Sequence, residues 1–331
     1  MRTIAFFNNK GGVGKTSMVY HLAWMYADRG LKVLVADLDP QANLSVMFLD
    51  DERLIELWEG GERGTIVDSL KPLMERTGDI DEPHVEQIGK GDIGLIPGNL
   101  ALSRFEDLLS ENWPKCLSGE VAPFRVITAF HRILARAADA MSADLVLIDV
   151  GPNLGAINRA ALIAARQVVL PLAPDLFSLQ GLRNLGPTLR DWRRGWKKRL
   201  EELPADAGVD VPTGDMSPLG YVVMQHGVPD NRPVKAYQRW LERIPKIYRS
   251  YVLDEEPGDS VPQVEDDLFR LALLKNYRSL MPLAMDAHKP MFFLKSADGA
   301  IGAHASAVKA CYDDFLQLGK RIGEKSGFAV S

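Results

Sequence analysis

A glycine loop set between an apolar run and a helical pattern constrains this chain more than any other stretch. Thr3-Ile4-Ala5-Phe6-Phe7 reads as a buried strand, Asn9-Lys10-Gly11-Gly12-Val13-Gly14-Lys15-Thr16-Ser17 as the loop, and Val19 to Tyr26 as a helix. Three glycines in four positions let successive N–H groups turn into one concavity at a helix N-terminus, where they can hold phosphate oxygens. Lys15 then reaches the β and γ phosphates, and the Thr16 hydroxyl can ligate Mg²⁺. The competing pattern is the dinucleotide fingerprint G-x-G-x-x-G. Gly12-Val13-Gly14 begins it, and Asp37 ends the next strand, where an acid would meet a ribose. Its third glycine is Ser17 here, and the Lys15-Thr16 pair after a strand favours a nucleoside triphosphate.

Two further apolar runs end in acids. Lys32-Val-Leu-Val-Ala-Asp37 and Asp144-Leu-Val-Leu-Ile-Asp149 both read as buried parallel strands whose C-terminal ends face a ligand. After Asp37 comes Leu38-Asp39-Pro40-Gln41-Ala42-Asn43. Two carboxylates two residues apart at a strand end can divide the labour, one holding waters around Mg²⁺ and the other orienting an attacking water.

Lys10-Gly-Gly-Val-Gly-Lys-Thr, with its extra early lysine and with Asn9 in place of the usual first glycine, resembles the deviant Walker A motif of the ParA/MinD family of dimerising ATPases. Other stretches are similar to that family in the same order: Asp37 to Asn43 to its switch I, Ile93-Gly-Leu-Ile-Pro97-Gly98-Asn99 to its strand and turn, and Asp149 to its Walker B acid. Val150-Gly151-Pro152-Asn153-Leu154-Gly155 resembles switch II with Gly151 replacing a proline, and Phe177-Ser-Leu-Gln-Gly181-Leu resembles the family's next helix start. The match covers most of 1–48 and of 93 to about 320, and is closest to ParA/Soj-like partition ATPases without an N-terminal helix-turn-helix domain. The resemblance implies an α/β fold, a doubly wound and mainly parallel sheet of P-loop type with helices on both faces. It also implies ATP and Mg²⁺ as cofactors, and weak, partner-stimulated ATP hydrolysis. Thr16, Asp37 and Asp149 would organise the metal, Asp39 the water, and Lys15 the β and γ phosphates. Lys10 would reach a partner subunit's nucleotide, as an arginine finger does.

The chain is expected to form one domain over 1–331, with insertions at about 50–92, 103–125, 190–215 and 254–267. The first insertion reads as peripheral, with a short helix from Val67 to Glu75. Trp113-Pro114 and Ala122-Pro123 are expected to break any helix in the second. The N-terminus enters a strand directly, so no leader is expected, and no run approaches the roughly 20 apolar residues that cross a bilayer. Cys116 and Cys311 are too far apart in sequence to suggest a metal or redox motif, and a reducing cytoplasm is the expected location.

A net charge of −5 excludes a wholly basic nucleic-acid coat but allows a local patch. Residues 232–244 read as an amphipathic helix stopped by Pro245, with Val234, Tyr237, Leu241 and Ile244 on one face. Lys235, Arg239 and Arg243 lie opposite, joined near the ends by Arg232 and Lys246, and such a stripe can meet DNA phosphates through charge alone. A solvated helix face is the plainer reading. Arg190 to Arg199 mixes six basic residues with two tryptophans, which either bind a partner or pack on the body. The acidic stretch 254–267 reads as a loop. The last helix, Ala303 to Ile322, carries an apolar face, and its tail is too weakly basic for a membrane anchor. The expected function is a homodimerising ATP switch that binds DNA non-specifically in plasmid or chromosome partition, with an activating adaptor protein. The alternative is an ATP-driven protein-interaction switch without DNA.

Overall fold

The computed structural model describes residues 1–61, 63–225, 234–256, 262–277 and 279–330. The N-terminal part runs β1 (Thr3–Phe6), α1 (Lys15–Asp28), β2 (Val33–Asp37), α2 (Asn43–Phe48), α3 (Asp51–Glu59), α4 (Ile66–Met74), β3 (Glu86–Ile88) and β4 (Ile93–Ile96). It continues with α5 (Phe105–Lys115), α6 (Val121–Ile127), α7 (Ala129–Met141), β5 (Leu145–Asp149), α8 (Ala156–Ala164), β6 (Gln167–Leu172) and α9 (Leu176–Glu202). The C-terminal part holds β7 (Ser217–Gln225), α10 (Val234–Leu241), α11 (Ile244–Ile247), β8 (Arg270–Lys275), α12 (Leu280–Asp286) and α13 (Ala303–Ser326).

The strands form one sheet in the order β3-β4-β2-β5-β1-β6-β7-β8, parallel except for the β3–β4 pair. Alternation along each strand divides the core. Ile4, Phe6, Val33 and Val35 face a cluster completed by α1 and α13, whereas Ala5, Leu34 and Ala36 face one built by α5 to α9. Both faces are covered, so the central strands are buried at every position, as the continuous apolar runs require. The doubly wound, mainly parallel α/β fold is therefore what the chain adopts. The register places the acids that end two adjacent strands, Asp37 and Asp149, directly opposite each other.

Several local expectations change. Pro114 and Pro123 do not break helices: Pro114 lies in the last turn of α5 and Pro123 in the first turn of α6. A proline in the first turn has no partner N–H to lose, so it is tolerated there. Pro245 likewise opens α11 instead of stopping the helix before it. The stretch 50–92 contains an additional helix, α3, capped by the Asp50 carboxylate on the Arg53 N–H, and an edge strand, β3. Arg190 to Arg199 is the second half of the 27-residue α9, and Trp196 is fully buried, with its N–H on the Pro212 carbonyl at 2.9 Å. That tryptophan is core, not a docking anchor. The acidic stretch holds no helix or strand among its described residues, as expected of a loop, but Asp267 in it is not a solvated charge. It is buried against Arg249 at 2.6 Å and Tyr221 at 2.7 Å.

Candidate nucleotide site

The loop between β1 and α1 has the predicted shape. Gly12 and Gly14 hold positive φ of 70° and 82°, a region in which a side chain is strained. Gly14 is the N-cap of α1, and the first turn of that helix contains no acid, so its N–H groups face the loop without a competing carboxylate on their own helix. Asn8 is buried and ties the loop to β6, donating to the Pro171 carbonyl at 2.6 Å and accepting the Lys10 N–H at 2.9 Å.

Charged groups close around this loop. Lys15 is buried, with its ammonium 3.4 Å from the Lys10 carbonyl. Burial lowers its pKa, against the pull of Asp149 and Asp39. Asp37 is fully buried and is pushed up to about 7, chiefly by burial, although the Ser45 hydroxyl and N–H bond its Oδ2 at 2.7 and 2.8 Å. Asp149 is fully buried and pushed up to about 8 by burial and by Asp37, with Thr16 and Lys15 partly offsetting this. Among the described residues neither Asp149 oxygen has a hydrogen-bond partner within normal geometry, an arrangement that buried carboxylates avoid unless another group completes them. Asp39, also buried, accepts the Gln41 N–H at 3.0 Å and lies against Gly151, where an added Cβ would be 3.2 Å from its Oδ1.

Lys10 points elsewhere. Its ammonium pairs with Asp175, the N-cap of α9, and lies 6.0 Å from the centre of the Phe177 ring. Phe177 is 75% exposed and its neighbour Leu176 55%, so Lys10 borders a bare apolar surface.

A cleft of about 510 Å³ runs from Gly11–Ser17 and Asp39 past Met224 to Leu274, Asn276 and Tyr277 and the methionines of α12. None of the residues from Met224 to the methionines of α12 carries a spacing signal, so sequence reasoning missed this wall. It also missed Glu106 of α5, which accepts the Ala156 and Ile157 N–H groups at the start of α8, and Asn158, whose amide donates to the Gly151 and Asn153 carbonyls at 2.8 and 2.7 Å. These two side chains pin the 150–155 loop from below.

A family model described as an AAA domain matches residues 1–202, more than half of the chain. The chain is a ParA/MinD-type P-loop ATPase of that family. It is 31% identical to the chromosome-partitioning ATPase Soj of Thermus thermophilus, over 61% of this chain and 67% of that one. It is 30% identical to a putative replication protein A of Rhizobium rhizogenes, over 55% of this chain and 42% of that one. The chain thus spans less than half of the second relative. The solved structure of pnob8 ParA shares the fold, with a TM-score of 0.65 over 98% of both chains at 19% identity.

The predicted DNA-facing residues lie away from this cleft. Arg239, Arg243 and Lys246 are exposed, with Leu241 and Ile244 buried beneath them. Arg232 lies outside the described residues, as do the side chains of Val234, Lys235 and Tyr237. Arg243 and Lys246 line a second hollow of about 600 Å³ together with Arg183 from α9 and Tyr251, two residues that the sequence did not single out. No described helix is long and apolar enough to cross a membrane.

Proposed function

We propose that this chain is an ATP-dependent dimerisation switch that hydrolyses ATP and binds DNA without sequence preference in plasmid or chromosome partition. The observation that carries the nucleotide reading is the convergence of a buried lysine and three buried carboxylates on one glycine loop, where among the described residues neither Asp149 oxygen has a hydrogen-bond partner of normal geometry. The loop N–H groups and Lys15 bind the triphosphate. Among the described residues no group of three or more His, Cys, Asp and Glu side chains is arranged to hold a metal alone. That suits Mg²⁺, a small hard cation that keeps waters and leans on substrate phosphates, with only oxygen donors here in Thr16, Asp37 and Asp149. When bound, such an ion neutralises charge that develops on the transferred phosphoryl group. Asp39 accepts a proton from the attacking water and orients it. The cleft wall from Met224 to Tyr277 takes the base by apolar contact.

Dimerisation follows from Lys10 and its surroundings. Exposed Phe177 lies beside Lys10, with its neighbour Leu176 and Leu154 also exposed, and a second copy closing over them removes apolar surface from water and brings Lys10 to the opposite triphosphate. The Lys10–Asp175 pair must open for this. Arg239, Arg243 and Lys246, with Arg183, then form a doubled basic surface for DNA phosphates.

The test is the mass of the particle in solution with a non-hydrolysable ATP analogue and Mg²⁺, with ADP, and for Lys10→Ala. A dimer with the analogue alone, absent in Lys10→Ala, is expected. A monomer in every state overturns the reading.

A further inference from the structure

The segment between Asp51 and Ile88, which reads as peripheral in sequence, grips the turn after β4. The Trp58 indole N–H on α3 donates to the Gly98 carbonyl at 3.1 Å, and the Ile66 N–H at the start of α4 donates to the Pro97 carbonyl at 2.9 Å. The Gly98 N–H donates in turn to Ser45 Oγ at 2.8 Å. Ser45 is fully buried, and its hydroxyl has a single proton. With the Gly98 N–H on its oxygen, that proton goes to Asp37 Oδ2 at 2.7 Å, and the Ser45 N–H adds a second bond to the same oxygen at 2.8 Å.

The turn and the carboxylate also touch. A Cβ on Gly98 would lie 2.9 Å from Asp37 Cγ and 3.0 Å from its Oδ2, so the backbone there can pass only as glycine. By contrast, among the described residues Asp37 Oδ1 receives only a long 3.4 Å approach from the Asp39 N–H. One oxygen is thus saturated by the relay and the other is left with capacity. Trp58 is 40% exposed, yet its N–H is spent inward, so the relay joins a surface helix to a buried acid in four residues.

We propose that Trp58 and Ser45 are positioning residues for Asp37: the Trp58 bond holds the Gly98 carbonyl and with it the turn, the Gly98 N–H orients the Ser45 hydroxyl, and Ser45 locks Oδ2 so that Oδ1 serves a water held by Mg²⁺. This rests on the magnesium–nucleotide reading above. The Ile66 N–H, the Pro97–Gly98 peptide, the Ser45 hydroxyl and Asp37 are hydrogen-bonded in series, and such bonds strengthen one another in a low-dielectric interior, while partners of metal-organising groups set metal affinity without touching the metal.

The experiment titrates Mg²⁺ against the binding of a fluorescent, non-hydrolysable ATP analogue, with a parallel measurement in EDTA. Ser45→Ala raises the Mg²⁺ midpoint roughly 10-fold. Trp58→Phe, which keeps the ring and loses the donor, raises it about 3-fold. Both leave analogue affinity in EDTA unchanged. Melting in EDTA checks that Trp58→Phe still folds, which keeps the test sound if Ser45→Ala does not. A Mg²⁺-dependent wild type with the same midpoint in Trp58→Phe overturns the relay and leaves the nucleotide reading standing. Equal losses with and without Mg²⁺ make Trp58 merely structural and also overturn it. A wild type without Mg²⁺ dependence sinks both.

Discussion

The nucleotide cleft and the basic surface of α10 and α11 are built on opposite terms. In the cleft, Lys15, Asp37, Asp39 and Asp149 are all buried, each strand end has one place to go, and backbone positions such as Gly14 and Gly98 admit no alternative residue. On the basic surface, Arg239, Arg243 and Lys246 stand in solvent, and the guanidinium groups of Arg239 and Arg243 lie only 5.9 and 5.2 Å from the centre of the Trp240 ring. Buried charge is costly and is kept only where its partners are specified, whereas exposed charge is cheap and interchangeable. A charge in the cleft therefore carries information about chemistry, and a charge on the surface carries little until it is counted with its neighbours. The family match, which ends at residue 202, takes in the loop, Lys15 and the three acids and leaves out both the cleft wall from Met224 onward and the basic surface.

The largest effect that this contrast predicts is at Lys15. Lys15→Ala removes the only buried cation of the loop and leaves Asp149 and Asp39 facing the triphosphate, so nucleotide affinity falls by about 100-fold or more. Equilibrium binding of a fluorescent ATP analogue measures it, and affinity within a factor of three of wild type would break the account of the cleft. Next is Asp39→Asn, which keeps the shape of the side chain and its contact with Gly151 but removes the base. Hydrolysis is expected to drop on the order of 100-fold with nucleotide affinity nearly unchanged, read from single-turnover rates beside binding. A parallel loss of both would make Asp39 a binding group instead.

How much of this was legible follows the same physics. Thr3–Phe7, Val33–Asp37 and Leu145–Asp149 could be read because a strand buried on both faces must be apolar throughout, and a polar residue ending it marks the ligand edge. Ser45 could not. Nothing in Asn43-Leu-Ser45 distinguishes a serine that bonds Asp37 from one in an ordinary helix turn, because the partner lies eight residues away and the Gly98 donor 53 away. Glu106 and Asn158 were missed for the same reason: an acid on an exposed helical pattern and an amide in an alanine-rich helix become meaningful only when α5 packs on α8. The prolines misled because position within a helix decides their cost, and boundaries are the least readable part of a helix. Arg190 to Arg199 left two readings open because a charged stretch hides the one face, through Trp196, that enters the core.

Smaller effects should come from the surface. Arg239→Glu with Arg243→Glu reverses two of the described cations while leaving Leu241 and Ile244 buried, so stability and hydrolysis stay near wild type. Retention on random duplex DNA in the ATP state falls by about 10-fold or more at 0.1 M salt, with a shallower salt dependence. Unchanged retention would place the DNA contacts elsewhere, and no retention by wild type in any nucleotide state would favour a switch that acts on protein alone.

The smallest effect sharpens the comparison from the stability side, because functional burial in the cleft has a cost that the surface does not bear. Asp37 and Asp149 sit at about 7 and about 8, against an ordinary 3.8. A carboxyl whose folded value is raised holds its proton where the unfolded chain has released it, so the folded state binds more protons between pH 4 and pH 8. Stability without ligand therefore falls as pH rises through that window and levels off above it. Asp149→Asn removes one of the two groups responsible. Its melting temperature should match wild type near pH 4 and exceed it by ~4 °C at pH 8 in EDTA. Adding Mg²⁺ and the ATP analogue at pH 8 should reverse the order, since the wild-type carboxylate is then completed and the amide is not. Melting curves that stay parallel from pH 4 to pH 8 would mean that Asp149 is charged and satisfied in the empty cleft, and the contrast between a costly interior and a cheap surface would lose its strongest member.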